Sequence, residues 1–219
     1  MKKLLLFIGL IVISFLISCN KRRQVDIEGK VLNPITQEGI EGVELWLLKP
    51  GSPFEYYGGY KRVETVFTDA NGNFKVDVKS ASAEILRVGN MHGAYYKIGW
   101  YEDGAQLPSD LPVQQGKNMK ADFYAVPYGK LQINIKNTSC FNQTDSLIIF
   151  RTHSLPHFYD EVPNPAIYVG CIDQQGNLNN APMGWYRYIG RVIKNGIETP
   201  IKDSIYLSEG ETKVWNINY

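Results

Sequence analysis

The chain has 219 residues, of which 44% are hydrophobic and 21% are charged, a composition that allows one or two packed domains and excludes disorder over most of the length. Its 23 lysines and arginines balance 22 aspartates and glutamates, so no basic excess indicates a nucleic-acid partner. The 20 glycines, 11 prolines and 14 tyrosines favour strands and turns over helices.

The chain opens with a charged start followed by a short, largely apolar run. Lys2 and Lys3 precede apolar residues that continue to Ile17. Such a run is too short to cross a bilayer comfortably, and its layout is typical of a secretory signal peptide. Residues 1–18 are therefore predicted to be a signal peptide.

The end of this run is more specific. Leu16-Ile17-Ser18-Cys19 resembles the lipobox of bacterial lipoproteins. The resemblance implies cleavage before Cys19 and attachment of lipid, including palmitate, to its sulfur and its amine. Two or more acyl chains hold a protein stably on a membrane. The alternative is an ordinary signal peptide with an incidental cysteine.

Residues 19–24 are predicted to be a tether. Lipoproteins exported to the surface in one Gram-negative lineage carry acidic residues after the cysteine, whereas this chain has Lys21, Arg22 and Arg23. Asn20 also differs from the aspartate of the best-known inner-membrane retention signal. We therefore expect attachment to the outer membrane, facing the periplasm, with exposure at the cell surface as the open alternative.

Alternation of apolar and polar residues begins at Val25 and predicts a series of half-buried strands. Asp69-Ala70-Asn71-Gly72-Asn73 predicts a tight turn that pairs the third strand with the fourth, because Asn-Gly tolerates positive φ. The same residues do not match a calcium loop, because Gly72 falls between the second and third candidate ligands. The predicted strands of this first module cover residues 25–31, 43–48, 63–68, 74–78, 84–88, 95–101 and 121–126.

Three segments carry a family resemblance. Gly29-Lys30-Val31, Gly39-Ile40-Glu41-Gly42-Val43 and Thr68-Asp69-Ala70-Asn71-Gly72-Asn73-Phe74 resemble the carboxypeptidase regulatory-like (transthyretin-like) domain. The resemblance is good over residues 25–78 and weaker up to residue 126. It implies a small seven-stranded β-sandwich without a catalytic centre over residues 25–126.

Pro127 and Gly129 mark the expected end of this module. Alternation then resumes, and Asn195-Gly196 predicts another hairpin. Residues 128–219 are predicted to form a second β-sandwich, immunoglobulin-like in the broad sense. The fold class is therefore all-β, with two tandem sandwiches after the signal peptide. The predicted strands of the second module cover residues 131–136, 146–151, 166–172, 185–194, 202–207 and 212–218.

Two cysteines remain once Cys19 carries lipid. Cys140 and Cys171 form an even remainder in an exported protein, which favours a disulfide between them. Two separate buried thiols are the alternative.

The sequence contains no recognisable catalytic constellation. It lacks Gly-x-Ser-x-Gly, His-Glu-x-x-His and a phosphate-binding glycine loop. His153 and His157 are four residues apart, but Pro156 disfavours a helix that would bring them together. Asp160 and Glu161 are the nearby candidates for further metal ligands. We expect no enzyme activity, no metal site and no cofactor.

Aromatic residues offer another route to function. Tyr56, Tyr57 and Tyr60 lie among prolines and glycines, where core packing explains them poorly, so they are candidate ligand-binding residues. The sequence predicts a non-catalytic, membrane-anchored lipoprotein that binds a protein partner in the envelope; a glycan-binding lipoprotein for carbohydrate import or adhesion is the alternative. The other aromatic candidates are Tyr95, Tyr101, Trp185, Tyr186 and Tyr188; core or cross-strand packing explains most of the aromatic candidates.

Overall fold

The computed structural model describes residues 24–54, 58–80, 82–93, 95–155, 158 and 164–219. Regular structure in these ranges consists of β-strands, which confirms the predicted all-β class. Within them, no helix is long and apolar enough to cross a membrane. The predicted signal peptide, Cys19 and the tether up to residue 23 lie outside the described ranges.

The chain divides into two compact units. The first unit reaches Gly93 and resumes from Lys97 to Ala125, and the second includes Val126–Tyr219 together with the start of the sixth strand. The first ten strands are β1 (Gln24–Leu32), β2 (Glu44–Pro50), β3 (Tyr60–Phe67), β4 (Asn73–Lys79), β5 (Ile85–Val88), β6 (Tyr95–Glu102), β7 (Ala105–Gln106), β8 (Leu111–Pro112), β9 (Asn118–Lys120) and β10 (Asp122–Lys136).

Two sheets build the first unit. One has the order β3-β2-β5-β8, and the other runs β4-β1-β10-β6-β7 with β9 beside β1. Alternate residues of these strands, among them Ile27, Leu45 and Trp100, are fully buried. Trp100 packs edge-to-face against Phe74 and Phe123, at centroid distances of 5.9 and 5.1 Å, a geometry that aromatic pairs prefer. This buried set is the core that the period-two pattern requires.

The turn at Asp69–Asn73 is real, but its predicted pairing is wrong. β4 pairs antiparallel with β1, and β3 pairs with β2, so the turn carries the chain from one sheet to the other. The Asp69 carboxylate accepts the backbone N–H groups of Asn71 and Asn73 at 2.9 and 2.8 Å. These bonds, with that from the Asn73 side chain, lower the pKa of Asp69. The carboxylate thus organises a corner between sheets.

The second unit adds seven strands: β11 (Ser146–His153), β12 (Ala166–Val169), β13 (Asp173–Gln174), β14 (Asn179–Pro182), β15 (Gly184–Lys194), β16 (Ile197–Leu207) and β17 (Thr212–Asn218). One sheet has the order β12-β11-β15-β16, while β13, β14 and β17 pair with the second half of β10. Their shared core takes Leu131 from β10, Leu147 from β11, Tyr186 and Tyr188 from β15 and Trp215 from β17.

The expected break around Pro127 is absent from the strand pattern. β10 runs unbroken for 15 residues through Pro127 and Gly129, and the division between units falls between Ala125 and Val126 within it. Pro127 has no N–H to donate, but its carbonyl still accepts the Met183 N–H at 2.9 Å. A proline therefore fits this strand without ending it.

Candidate functional site

Only one of the three predicted ligand-binding tyrosines is described. Tyr56 and Tyr57 lie outside the described residues, whereas Tyr60 begins β3 and is half-buried. The Arg87 guanidinium lies over the Tyr60 ring, 5.6 Å from its centroid. Arg87 also donates two hydrogen bonds to Asp110, at 2.7 and 2.6 Å, which raise the pKa of Arg87. The Tyr60 ring thus has a packing role within the first unit.

Cys140 and Cys171 are joined in a disulfide, with their Cα atoms 5.2 Å apart. Beside it, the fully buried Asp145 accepts the Phe141 N–H at 2.7 Å and an amide N–H of Asn137 at 3.1 Å. These bonds hold the loop that leads into β11. They make this region a structural support of the second unit.

His153 is the buried titratable group that most resembles a catalytic residue. Its ring is 8% exposed, packs against Tyr186 at a centroid distance of 4.4 Å, and accepts the Leu155 N–H on Nδ1 at 3.0 Å. Burial and the positive charge of Arg187 lower its pKa to about 4. A catalytic histidine base is oriented by a third group, such as a carboxylate, that hydrogen-bonds its ring. Among the described residues, no carboxylate makes such a hydrogen bond to His153. We assign His153 a structural role.

The metal site that the sequence analysis considered and rejected would involve His157, Asp160 and Glu161 beside His153, and these three residues lie outside the described ranges. Across the part of the chain that the structure describes, no group of three or more His, Cys, Asp or Glu side chains is placed to hold a metal ion.

The strongest surface feature is one face of the β12-β11-β15-β16 sheet, which we call the outer face. In β15 the residues Tyr186 and Tyr188 point into the core, so Trp185 and Ile189 point outward, with exposures of 41% and 60%. Strand alternation places the neighbouring outward residues on the same side. The apolar side chains of the outer face include Ile148, Phe150, Ile167, Val169, Trp185, Ile189 and Ile193.

These side chains are neighbours on the sheet rather than isolated exposures, although Arg187 separates Trp185 from Ile189 along β15. Phe150 lies directly opposite Ile189 across the β11–β15 pair, and Ile148 lies opposite Ile167 across β11–β12. A groove of about 420 Å³ runs between Ile148, Phe150 and Ile189 and is bordered by Pro200. Single exposed apolar residues are normal, but contiguous apolar patches on a folded domain mark interaction sites. The outer face is therefore the best candidate binding surface in the described structure.

Trp185 is among the aromatic residues singled out from the sequence, but the rest of the outer face is not. The structure separates Trp185 from Tyr186 and Tyr188: the two tyrosines are 2% and 4% exposed, and Trp185 is 41% exposed. The available signal was the unbroken apolar run from Leu147 to Phe150 in β11, because it predicts apolar side chains on both faces of that strand.

The first unit carries a different, polar groove of about 670 Å³. Tyr101 lines it and stacks on Tyr124 at a centroid distance of 4.5 Å. The amide side chains of Asn73 and Asn118 and several charged side chains also line it. A sugar ring can stack on an aromatic side chain, and its hydroxyl groups can form hydrogen bonds with neighbouring amide and carboxylate groups.

No family model matches the chain, and no curated protein matches it. Solved structures give distant likenesses. The Bacillus anthracis TIE protein is 13% identical, with a TM-score of 0.30, over 90% of this chain and 34% of that one. The streptococcal ancillary pilin is 13% identical, with a TM-score of 0.32, over 90% and 62%. A DUF3823 family protein from Bacteroides uniformis is 11% identical, with a TM-score of 0.31, over 85% and 99%.

The chain thus spans about a third of the Bacillus protein and under two thirds of the streptococcal pilin. None of the three is described as an enzyme. Likeness at this level carries no argument about function. The resemblance to a carboxypeptidase regulatory-like domain stays a prediction.

Proposed function

We propose that this protein is a non-catalytic component of the cell envelope that binds a protein partner through the outer face of its second unit. The observation that carries the proposal is the set of neighbouring exposed apolar side chains on a sheet whose opposite side is already buried in a complete core. Exposing such a surface to water is unfavourable, and covering it on binding recovers the hydrophobic free energy.

The proposal includes a lipid anchor at Cys19 and a position at the outer membrane, facing the periplasm. The support is the sequence from Leu16 to Cys19 and the basic tether. Metabolic labelling with palmitate tests it: the wild-type chain takes up label, and Cys19→Ser does not. Equal labelling of both chains, or labelling of neither, would contradict the anchor.

The docking surface is tested by capture from crosslinked envelopes. Phe150→Ser combined with Ile189→Ser removes the centre of the outer face. The two side chains form a cross-strand pair, so stability should fall by about 1–2 kcal/mol, and urea unfolding checks that the variant remains folded. The matched control is Val214→Ser, which removes a side chain of 48% exposure from β17, in the other sheet. We expect wild type and the control to recover the same specific protein, and the double variant to lose it. Recovery by the double variant, or no specific recovery by the wild type, would refute the proposal.

A glycan is the second candidate ligand, and the polar groove of the first unit favours it. Tyr101 supplies a ring for stacking, and Asn73 and Asn118 supply amide groups. On a glycan array, Tyr101→Ala should weaken any binding that the wild type shows, and Tyr57→Ala with Tyr60→Ala tests the loop predicted from the sequence. An array profile that neither variant changes would reject this candidate.

A further inference from the structure

The outer face carries an excess of positive charge. Cross-strand pairing places Arg187, Arg191 and Lys202 on the same side of the sheet as Trp185 and Ile189. Glu198 lies on this side as well and pairs with Arg191 at 3.6 Å. Within the described ranges, Arg187 and Lys202 have no ion-pair partner, and the Arg187 guanidinium lies 5.5 Å from the centroid of the Trp185 ring. Among the described residues, the apolar surface is therefore bordered by two cations without an ion-pair partner.

This charge argues against a second copy of the chain as the occupant. A two-fold dimer presents the same patch from both subunits. Three cations, Arg187, Arg191 and Lys202, against the one carboxylate of Glu198 would then bring two like-charged patches together in a surface from which water is excluded. Like charges placed together at an interface cost several kcal/mol and disfavour that pairing. The charge instead complements carboxylates on a different protein.

The edge strand β16 of the same sheet restricts how such a partner can dock. Asn195 and Gly196 have φ values of 48° and 76°, as in a two-residue type I′ turn, so Lys194 and Ile197 form the first hydrogen-bonded pair of the β15–β16 hairpin. Backbone groups alternate in direction along an antiparallel strand. Those of Glu198, Pro200, Lys202, Ser204 and Tyr206 therefore point away from β15, along the open edge.

That edge is already blocked at three of these five positions. Pro200 has no N–H to offer, and the Ser204 N–H donates to its neighbour Asp203 at 2.7 Å. The Tyr206 carbonyl accepts a hydrogen bond from Lys213 Nζ at 2.6 Å. Natural sheets protect their edges against strand addition by such means. An added strand would find an interrupted ladder on β16, whereas the outer face remains open.

We infer that the occupant of the outer face is a protein surface of apolar residues bordered by aspartate or glutamate, which docks flat on the sheet and does not add a strand to β16. This inference rests on the proposed function. Carboxylates opposite Arg187 and Lys202 would supply orientation and faster association, and the apolar contacts would supply most of the affinity.

A selection with displayed peptides tests the chemistry. A phage library of short random peptides is selected on the purified full chain, with counter-selection on Phe150→Ser/Ile189→Ser. Binding of the enriched peptides is then compared between wild type, Arg187→Glu/Lys202→Glu, and the control Lys61→Glu/Lys130→Glu. The control makes the same total change in charge at two exposed lysines that do not belong to the outer face.

We expect the enriched peptides to combine apolar residues with Asp or Glu. Their binding should fall at least about tenfold in the Arg187→Glu/Lys202→Glu variant and remain unchanged in the control. It should also weaken as NaCl is raised from about 50 mM to about 500 mM. Peptides that need Phe150 and Ile189 but carry no acidic bias, or that ignore the charge reversal, would overturn the inference and leave the proposed function standing.

Two other outcomes also count against the inference. If no peptide depends on Phe150 and Ile189, the inference fails together with the proposed docking surface. Analytical ultracentrifugation of the full chain covers self-association: a dimer that Phe150→Ser/Ile189→Ser dissociates would make the occupant a second copy. A monomer in both cases supports a different partner.

Discussion

The buried His153 makes stability sensitive to mild acid, and the size of the effect follows from its surroundings. Burial and Arg187 hold its folded-state pKa at about 4, against about 6.5 in the unfolded chain. Between these two pH values the unfolded chain takes up a proton at this histidine and the folded chain does not. The free energy of unfolding therefore decreases as the pH is lowered through this window. The linkage relation gives a loss of about 2 kcal/mol from pH 7 to pH 5, and about 3 kcal/mol by pH 4.

Urea unfolding at pH 7, 6 and 5 measures this loss directly. Aspartates and glutamates with lowered pKa values, such as Asp69 and Glu211, lose their contribution at lower pH, so the window above pH 5 isolates histidine. His153→Gln should be less stable at pH 7 but should lose most of the pH dependence, whereas His92→Gln, at an exposed position, should keep it. An NMR titration should show the His153 ring protonating near pH 4. A wild-type stability that is flat from pH 7 to pH 5, or an unchanged slope in His153→Gln, would refute the reasoning.

Urea unfolding of further variants tests three structural supports: the disulfide, a buried indole hydrogen bond and a close backbone contact. Replacing Cys140 and Cys171 by serine opens a bridge between residues 31 apart and should cost about 3–4 kcal/mol; an unchanged midpoint would show that the bridge does not constrain the unfolded chain. Trp215→Phe removes a 2.8 Å hydrogen bond from the indole N–H to Asp203 and should cost about 1–2 kcal/mol, which Asp203→Ala should reproduce if that bond is the cause. Gly39→Ala puts a methyl group into the backbone of the turn after β3 and should cost about 1–3 kcal/mol; a neutral result would mean that this corner yields easily.

Much of the strand pattern can be predicted from local sequence, because alternation is a local property. Residues 212–218 are an example: the strand predicted there is β17, whose alternate residues Trp215 and Ile217 are buried, at 5% and 1% exposure. The hairpin at Asn195-Gly196 is also confirmed, since both residues have positive φ, which the Asn-Gly pair accommodates at little cost.

Strand partners could not be predicted in the same way. The turn at Asp69–Asn73 fixes a reversal of direction, but the sheet that β4 joins depends on the distant β1. The corner also needs Gly39 against the backbone of Asn71, a contact between segments far apart in sequence. Likewise, Pro127 weakens a strand locally, yet β10 continues because β14 and β17 pair with its second half.

The candidate site was hidden for a related reason. In β11, apolar residues fill both sides of the strand from Leu147 to Phe150, a pattern typical of a strand that is covered on both faces. From the sequence alone, the outer side of β11 could not be distinguished from a side covered by another layer. In the described structure no layer covers it. The three cations of the outer face come from β15 and β16, and only the strand register places them beside Phe150 and Ile189.

Site-specific photo-crosslinking in intact cells tests the central claim most directly. A photoreactive amino acid replaces Ile189 on the outer face in one chain and Val214 on the opposite sheet of the same unit in another. We predict a discrete crosslinked protein from position 189 that is absent from position 214, and that is lost when Trp185→Ser is added. No crosslink from position 189, or the same crosslinks from both positions, would contradict a docking role for the outer face.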